Sequence, residues 1–260
     1  MIRLKNEKQI AGIRRSCKML SAMYRELIPL VKPGVETLDL DRWVQRWIKK
    51  AGGKPAFLGY GGPRSIPFPA ALCVSINNEV IHGIPSRRKI ASGDLVSLDC
   101  GIELEGFISD QALTIEAGTV SDTARNLNRV TAECLNKGIE AVKTGVRLHQ
   151  ISRAVRDHAE SQRYGVVRKF CGHGVGFAVH EDPAVPNHPH GPNPRMSNGL
   201  VIAIEPMINL GSHDVELLED EWTVVTADGS LSAHWEHTVA LIDNQTEVLT
   251  EPLEDLLTAA

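Results

Sequence analysis

The stretch LDCGIELEGFISDQ, residues 98–111, reads as two apolar-alternating strands that meet at a turn near Leu104-Glu105-Gly106. Antiparallel pairing centred on that turn sets Asp99 roughly opposite Asp110, on one face of the hairpin. Two carboxylates whose Cβ atoms lie about 5 Å apart repel each other unless a cation or a shared proton lies between them. A metal ion resolves the conflict. A one-residue slip would instead put the two aspartates on opposite faces, as ordinary solvated side chains.

Outward from the hairpin the pattern alternates between helices and strands. From Ile10 the positions Ile13, Cys17, Leu20, Tyr24 and Leu27 form a helical stripe that ends before Pro33-Gly34. Thr37 is placed to cap a second helix with Leu40, Val44, Trp47 and Ile48 on its buried face. Beyond the hairpin, Ser121 precedes a third helix, and a fourth follows Gly145. Glycine-broken strands run on from Gly165: VVRKFCGHGVGFAVHE, GLVIAIEPMINL, EWTVVTADGS and LSAHWEHTVALI. The order helix, helix, strands therefore occurs twice. The junctions Val31-Lys32-Pro33-Gly34-Val35 and Val142-Lys143-Thr144-Gly145-Val146 match as well, which favours an internal duplication with halves of about 1–118 and 119–260. A cleft between the halves is the natural place for an active site.

The second half contributes its own acids. Glu205 in VIAIEPMI and Glu236 in SAHWEHTVAL stand in strongly apolar strands, where an unpartnered ionised carboxylate costs several kcal/mol. Four inward acids suggest a carboxylate-bridged pair of metal ions. His173, between the glycines of CGHGVG that let backbone approach a ligand closely, is the candidate nitrogen donor, since neutral imidazole suits Mn, Fe, Co or Zn. His180 is near enough to face the same cleft, and His82 opens a turn in the first half. CGHGVG does not match the dinucleotide pattern G-x-G-x-x-G, and neither His180-Glu181 nor His234-Trp235-Glu236-His237 forms an H-E-x-x-H zinc helix.

Composition narrows the partners. In 260 residues, 28 Lys and Arg stand against 32 Asp and Glu, giving a net charge of -4 and none of the basic excess that nucleic-acid binding requires. No signal peptide or apolar span is evident, so a cytoplasmic protein with no membrane partner is expected. The five scattered cysteines lack a C-x-x-C pair and read as reduced thiols. A monomer is the default expectation.

NEVIHGIP (Asn78 to Pro85), LDCGIELEGFISDQ, GHGVGFAVHEDP (Gly172 to Pro183), IEPM (Ile204 to Met207) and SAHWEHT (Ser232 to Thr238) together resemble methionine aminopeptidases, from the first helix to about residue 250. The resemblance implies an α/β (α+β) fold of the duplicated pita-bread type: antiparallel strands, two pairs of covering helices and pseudo-two-fold symmetry in a single metallopeptidase domain, 1–260. It implies that Asp99, Asp110, His173, Glu205 and Glu236 bind two divalent ions, Co, Mn, Fe or Zn, whose shared water or hydroxide attacks the scissile carbonyl. By the same analogy Glu205 shuttles the proton to the leaving amine, His180 hydrogen-bonds the carbonyl oxygen, His82 contacts the scissile-bond region from the other side, and Tyr60, Cys73 and Trp222 line the methionine pocket. The substrates implied are the N-termini of nascent polypeptides with a small second residue. Transient ribosome association fits such a substrate, although no basic tail argues for it.

Only 25 positions separate His180 from Glu205, too few for the helical insertion of class II, so class I fits best. Phe57, Val179 and a longer segment from Pro63 to Leu72, stiffened by Pro67 and Pro69, depart from the family pattern and bear on side-chain selectivity. Two other readings compete. An Xaa-Pro aminopeptidase or creatinase-like relative would carry an additional amino-terminal domain, and a metal-free binding module of the same fold would lack ligands.

Overall fold

Four helices lie against a nine-stranded antiparallel sheet in the computed structural model, which describes residues 1–62 and 66–253; residues 63–65, part of the expected stiff loop, lie outside the described set. The helices are α1 (Glu7–Leu27), α2 (Thr37–Lys50), α3 (Asp122–Glu140) and α4 (His149–Ser161). Asn6 caps α1 and Ser121 caps α3, each side chain accepting a backbone N–H three residues on. At α2 the expectation was off by one residue. Glu36 occupies the cap position and Thr37 is the first helical residue, its hydroxyl used in exchange with the backbone of Ser86. Pro67 and Pro69 lie in chain without regular secondary structure, as their fixed φ and missing N–H require.

The hairpin pairs Leu95–Leu104 with Phe107–Glu116, but in a register two residues from the expected one: Gly101 faces Asp110 and Asp99 faces Ala112. The cause is a two-residue turn. Glu105 (φ 52°) and Gly106 (φ 80°) are both left-handed, as a primed turn matching the twist of its strands demands, so Leu104 pairs directly with Phe107. Because side chains alternate with period two, a two-residue shift keeps both aspartates on one face and makes them diagonal instead of opposite neighbours.

The other face of the hairpin belongs to the helices. Ser16 of α1 donates to Ile102 O at 2.8 Å, and the Tyr24 hydroxyl donates to Gln111 O at 2.8 Å. Leu20, Tyr24, Leu98, Cys100, Ile102 and Leu113 share one buried cluster there. Farther along the same face of the sheet α3 packs as closely: a Cβ on Gly138 would lie 3.1 Å from both Ile204 of the sheet and Val155 of α4.

The sheet continues from Phe107–Glu116 through Glu236–Ile242 and Val201–Ile204 to Gly172–Gly174 and Glu181–Val185. Two chain segments leave it at the same level. The strand reading across SAHWEHTVALI is interrupted at Trp235, and that across VIAIEPMI at Glu205-Pro206. Ser232–His234 and Met207–Asn209 then pair in a separate three-stranded sheet. Glu205 and Glu236 therefore stand where the ladder splits.

The two matched junctions fold alike. Gly34 (φ 92°) donates its N–H to Ile90 O, and Gly145 (φ 78°) donates to Met196 O, at 2.7 and 2.8 Å. In return Ile90 N–H reaches Val35 O and Met196 N–H reaches Val146 O.

Close backbone approach makes Gly174 less replaceable than a turn glycine. A Cβ there would lie 2.3 Å from Asp182 O, whereas a Cβ on Gly34 would meet nothing within 4 Å and only its positive φ would object. Gly174→Ala should cost about 3 kcal/mol, and Gly34→Ala about 1 kcal/mol, in urea unfolding of the metal-free protein. Equal midpoints for the two variants would contradict the close approach.

Candidate metal centre

The register assembles the site across strands. Cys73 pairs with Asp99, Asp99 with Ala112, and Ala112 with Glu236, so these four lie in one row over the face opposite α1. Glu205 follows Ile204, which pairs with His237, and so extends the row by one strand. Asp110 is one step along from Ala112 on the same face. Ala112 is the small residue that leaves space between Asp99 and Glu236. Beside Asp110 the strands separate: the Thr238 hydroxyl takes over the ladder's work, donating to Asp110 O at 2.7 Å and accepting from Asp110 N at 3.2 Å.

His173 arrives from the neighbouring strand with Nε2 3.3 Å from Glu205 Oε1 and 3.9 Å from Asp110 Oδ2. Its Nδ1 bonds the Gly174 carbonyl at 3.0 Å, which puts the proton on Nδ1 and leaves the Nε2 lone pair directed at the acids. The expectation for the flanking glycines needs correction. Their missing side chains admit neighbouring strands, with Ala203 O 2.4 Å from a Cβ on Gly172 and Asp182 O 2.3 Å from one on Gly174, and it is protein backbone that approaches them.

Burial dominates the electrostatics. It pushes Asp99 up to about 7 and Glu205 up to about 8, and holds Asp110 and Glu236 well above the ordinary carboxylate range; mutual repulsion adds to the shift at all but Glu205. Burial also pushes His173 down to about 3 and His82 down to about 4, so both are neutral imidazoles at pH 7. Asp99 Oδ1, Asp110 Oδ1 and Glu236 Oε1 are buried without a hydrogen-bond partner, and no Lys or Arg is among the described residues lining the cavity. Asp110, His173 and Glu236 can each present a donor atom within 4.8 Å of the others. Orphaned carboxylate oxygens, a free imidazole lone pair and no cationic side chain make a donor set that fits a divalent metal ion.

All ten of the expected site residues line one cavity: Asp99, Asp110, His173, Glu205, Glu236, His82, His180, Tyr60, Cys73 and Trp222. The Tyr60 hydroxyl lies 2.6 Å from His180 Nδ1, and the His180 and His173 rings are 4.2 Å apart. His82, at φ 59°, sits edge-on to Trp222 and Phe170. Trp222 Nε1 donates to Ile66 O at 2.9 Å, and its ring meets Phe68 edge-on.

Two neighbours, Phe68 and His234, had escaped the sequence reading as site residues, and Phe57, expected to bear on selectivity, joins them. Phe68 and Phe57 also line the cavity; Phe57 packs over Gly101, where a Cβ would lie 2.9 Å from its ring. The pairing of Gly101 with Asp110 could have indicated this floor. His234 is fully buried with Nε2 3.4 Å from Glu205 Oε2, on the far side of that carboxylate from His173. Strand alternation, which puts His234 on the face of Glu236 two residues on, was the signal that could have found it. Val179 is buried beside the cavity in the cluster that includes Phe57, Phe68 and Cys73.

The chain matches known proteins over nearly its whole length. Residues 11–243 match the model of metallopeptidase family M24. A methionine aminopeptidase of Treponema pallidum is 55% identical over 256 residues, covering 98% of either chain, and methionine aminopeptidase 1 of Bacillus subtilis is 42% identical over 96% of this chain and 99% of its own. The crystal structure of a methionine aminopeptidase from Thermotoga maritima superposes with a TM-score of 0.91 at 39% identity, covering 97% of this chain and all of that one. A prolidase from Pyrococcus horikoshii, at 23% identity and a TM-score of 0.77, shares the fold alone and is covered over 64% of its length. The pita-bread α/β architecture expected from the motifs is the observed one. On the match over residues 11–243 and the full-length relatives, the chain belongs to metallopeptidase family M24.

Proposed function

We propose that this chain is a metal-dependent aminopeptidase that removes the initiator methionine from polypeptides with a small second residue, and that Asp99, Asp110, His173, Glu205 and Glu236 hold two divalent ions. The observation carrying this reading is the placement of that donor set inside an apolar, aromatic-lined cavity that also receives two neutral histidines. Co, Mn, Fe or Zn all suit four carboxylates and one imidazole. When bound, the ions supply an activated water and a Lewis acid for the scissile carbonyl.

The chain's own residues do the rest. Tyr60 OH donating to Nδ1 of neutral His180 leaves Nε2–H free to bond the carbonyl oxygen as negative charge develops on it. His82 is held neutral and edge-on to Trp222, placed to contact the scissile-bond region from the opposite side. Glu205, flanked by the Nε2 atoms of His173 and His234, is the carboxylate placed to take a proton and pass it to the leaving amine. Phe57, Tyr60, Phe68, Cys73 and Trp222 provide apolar walls that match a thioether side chain. The shared geometry of the two Gly turns supports the halves of about 1–118 and 119–260 as related units of one domain.

Three outcomes are expected. Metal-reconstituted protein should release methionine from Met-Ala-Ser and leave Met-Lys-Ser and Xaa-Pro peptides intact; cleavage confined to Xaa-Pro peptides, or none under any metal, would overturn the proposal. Asp99→Asn should lower bound metal, measured by atomic absorption, and reduce turnover to background. Glu205→Gln should slow turnover by about 10²- to 10⁴-fold even where metal remains.

The raised carboxylates also fix a pH dependence. By pH 7 most of each unfolded histidine is already neutral, so the buried acids account for most of the difference in bound protons, and they hold the extra protons in the folded state. The stability of the metal-free protein should therefore fall from pH 7 to about pH 8, through the values of Asp99 and Glu205. Saturating Mn²⁺ should abolish that fall in thermal unfolding. A metal-free protein equally stable across this window would contradict the assignment.

A further inference from the structure

His180 stands at the end of a short loop, Val175 to His180, between the strands Gly172–Gly174 and Glu181–Val185. The loop is held from within by the next residue. Glu181 Oε1 accepts the N–H groups of Phe177 and Ala178, at 2.5 and 3.0 Å. Its other oxygen, Oε2, takes Lys5 Nζ at 2.8 Å. The Lys5 side chain is 1% exposed and that of Glu181 11%, so the pair is nearly removed from water.

Lys5 comes from the segment before α1, and that segment is fixed in its own right. Lys5 N–H donates to Gly199 O at 2.7 Å, and Gly199, at φ 88°, has no room for a Cβ because Lys5 O would lie 2.6 Å away. The Lys5 stem lies against Gly176, whose Cβ position is 3.3 Å from Lys5 Cε. Two residues earlier, the Arg3 guanidinium sits 3.7 Å from the centroid of the Phe177 ring. The amino-terminal segment thus grips the loop at Gly176, Phe177 and Glu181.

We propose that Lys5 is a positioning residue: through its buried ion pair with Glu181 it fixes the loop that presents His180 to the substrate carbonyl. A buried carboxylate that loses its cationic partner must find water or protonate, and either response loosens the two amide hydrogen bonds that shape the loop. His180 would then lose its alignment, while His173, on the preceding strand, keeps its own carbonyl bond. This role for Lys5 rests on the reading of His180 given above.

Two measurements on the full-length, metal-loaded protein test it. The first is amide hydrogen exchange: in Lys5→Met the Phe177 and Ala178 amides should exchange at least tenfold faster, with α3 unchanged. The second is kinetic. Lys5→Met should lower kcat on Met-Ala-Ser about tenfold with KM within twofold, Lys5→Arg should restore most of it, and Lys5→Met should add less than twofold to the loss caused by His180→Ala. Glu181→Gln serves as the second variant and should reproduce both effects if Lys5→Met folds poorly. Unchanged exchange at Phe177 and Ala178 would overturn the clamp. An undiminished tenfold loss in the His180→Ala background would show that Lys5 acts on stability generally and not through His180. Wild-type activity of His180→Ala would instead refute the His180 role, and the exchange measurement would still decide the clamp.

Discussion

Four carboxylates held on one face of a buried sheet repel one another and are denied water, and the rest of the site is arranged around that constraint. Asp110, Glu205 and Glu236 are at least nine-tenths buried and Asp99 is partly so, three of the four retain an oxygen without a hydrogen bond, and the described ion-pair partners nearby are the imidazoles of His173 and His234. Such an arrangement raises every pKa in the group and is tolerable only with protons or cations among the acids. Metal binding and structural stability are therefore one property of this chain, coupled through the same oxygens.

The scaffold supplies the rigidity that this arrangement needs. Helices cover one face of the hairpin, so that Tyr24 and Ser16 bond backbone carbonyls from behind while the acids project from the front. On the front face the strand backbone opens where the acids are. The Thr238 hydroxyl replaces a ladder bond beside Asp110, and the chain changes sheets at Glu205-Pro206 and at Trp235. These irregularities coincide with the level of the four acids. The histidines come from segments fixed by other means: a carbonyl bond for His173, a tyrosine hydroxyl for His180, and a left-handed backbone for His82.

Much of this was legible in the sequence because strand alternation has a period of two. Asp99 and Asp110 share a face under either the expected register or the observed one, so their placement together survived an error in the turn. The motifs around Asp99, His173, Glu205 and Glu236 singled out residues that the fold brings to one cavity, even though nothing in the local pattern fixes how far apart they fold. What stayed hidden depends on contacts distant in sequence. His234 is aimed at Glu205 by a strand break that periodicity reads straight through. Phe57 stood out as a departure from the family pattern, but its seat on the cavity floor depends on Gly101, forty-four positions later, which leaves it space. The ion pair of Lys5 with Glu181 joins residues with no shared motif, in a segment that composition alone would treat as an ordinary solvated terminus.

The central claim is that these acids and His173 exist to hold divalent cations. Anomalous diffraction from crystals soaked in Mn²⁺ tests it most directly. The account predicts two strong peaks in the cavity, within coordination distance of Asp99, Asp110, His173, Glu205 and Glu236. An empty cavity at saturating Mn²⁺, or peaks only elsewhere on the molecule, would contradict it.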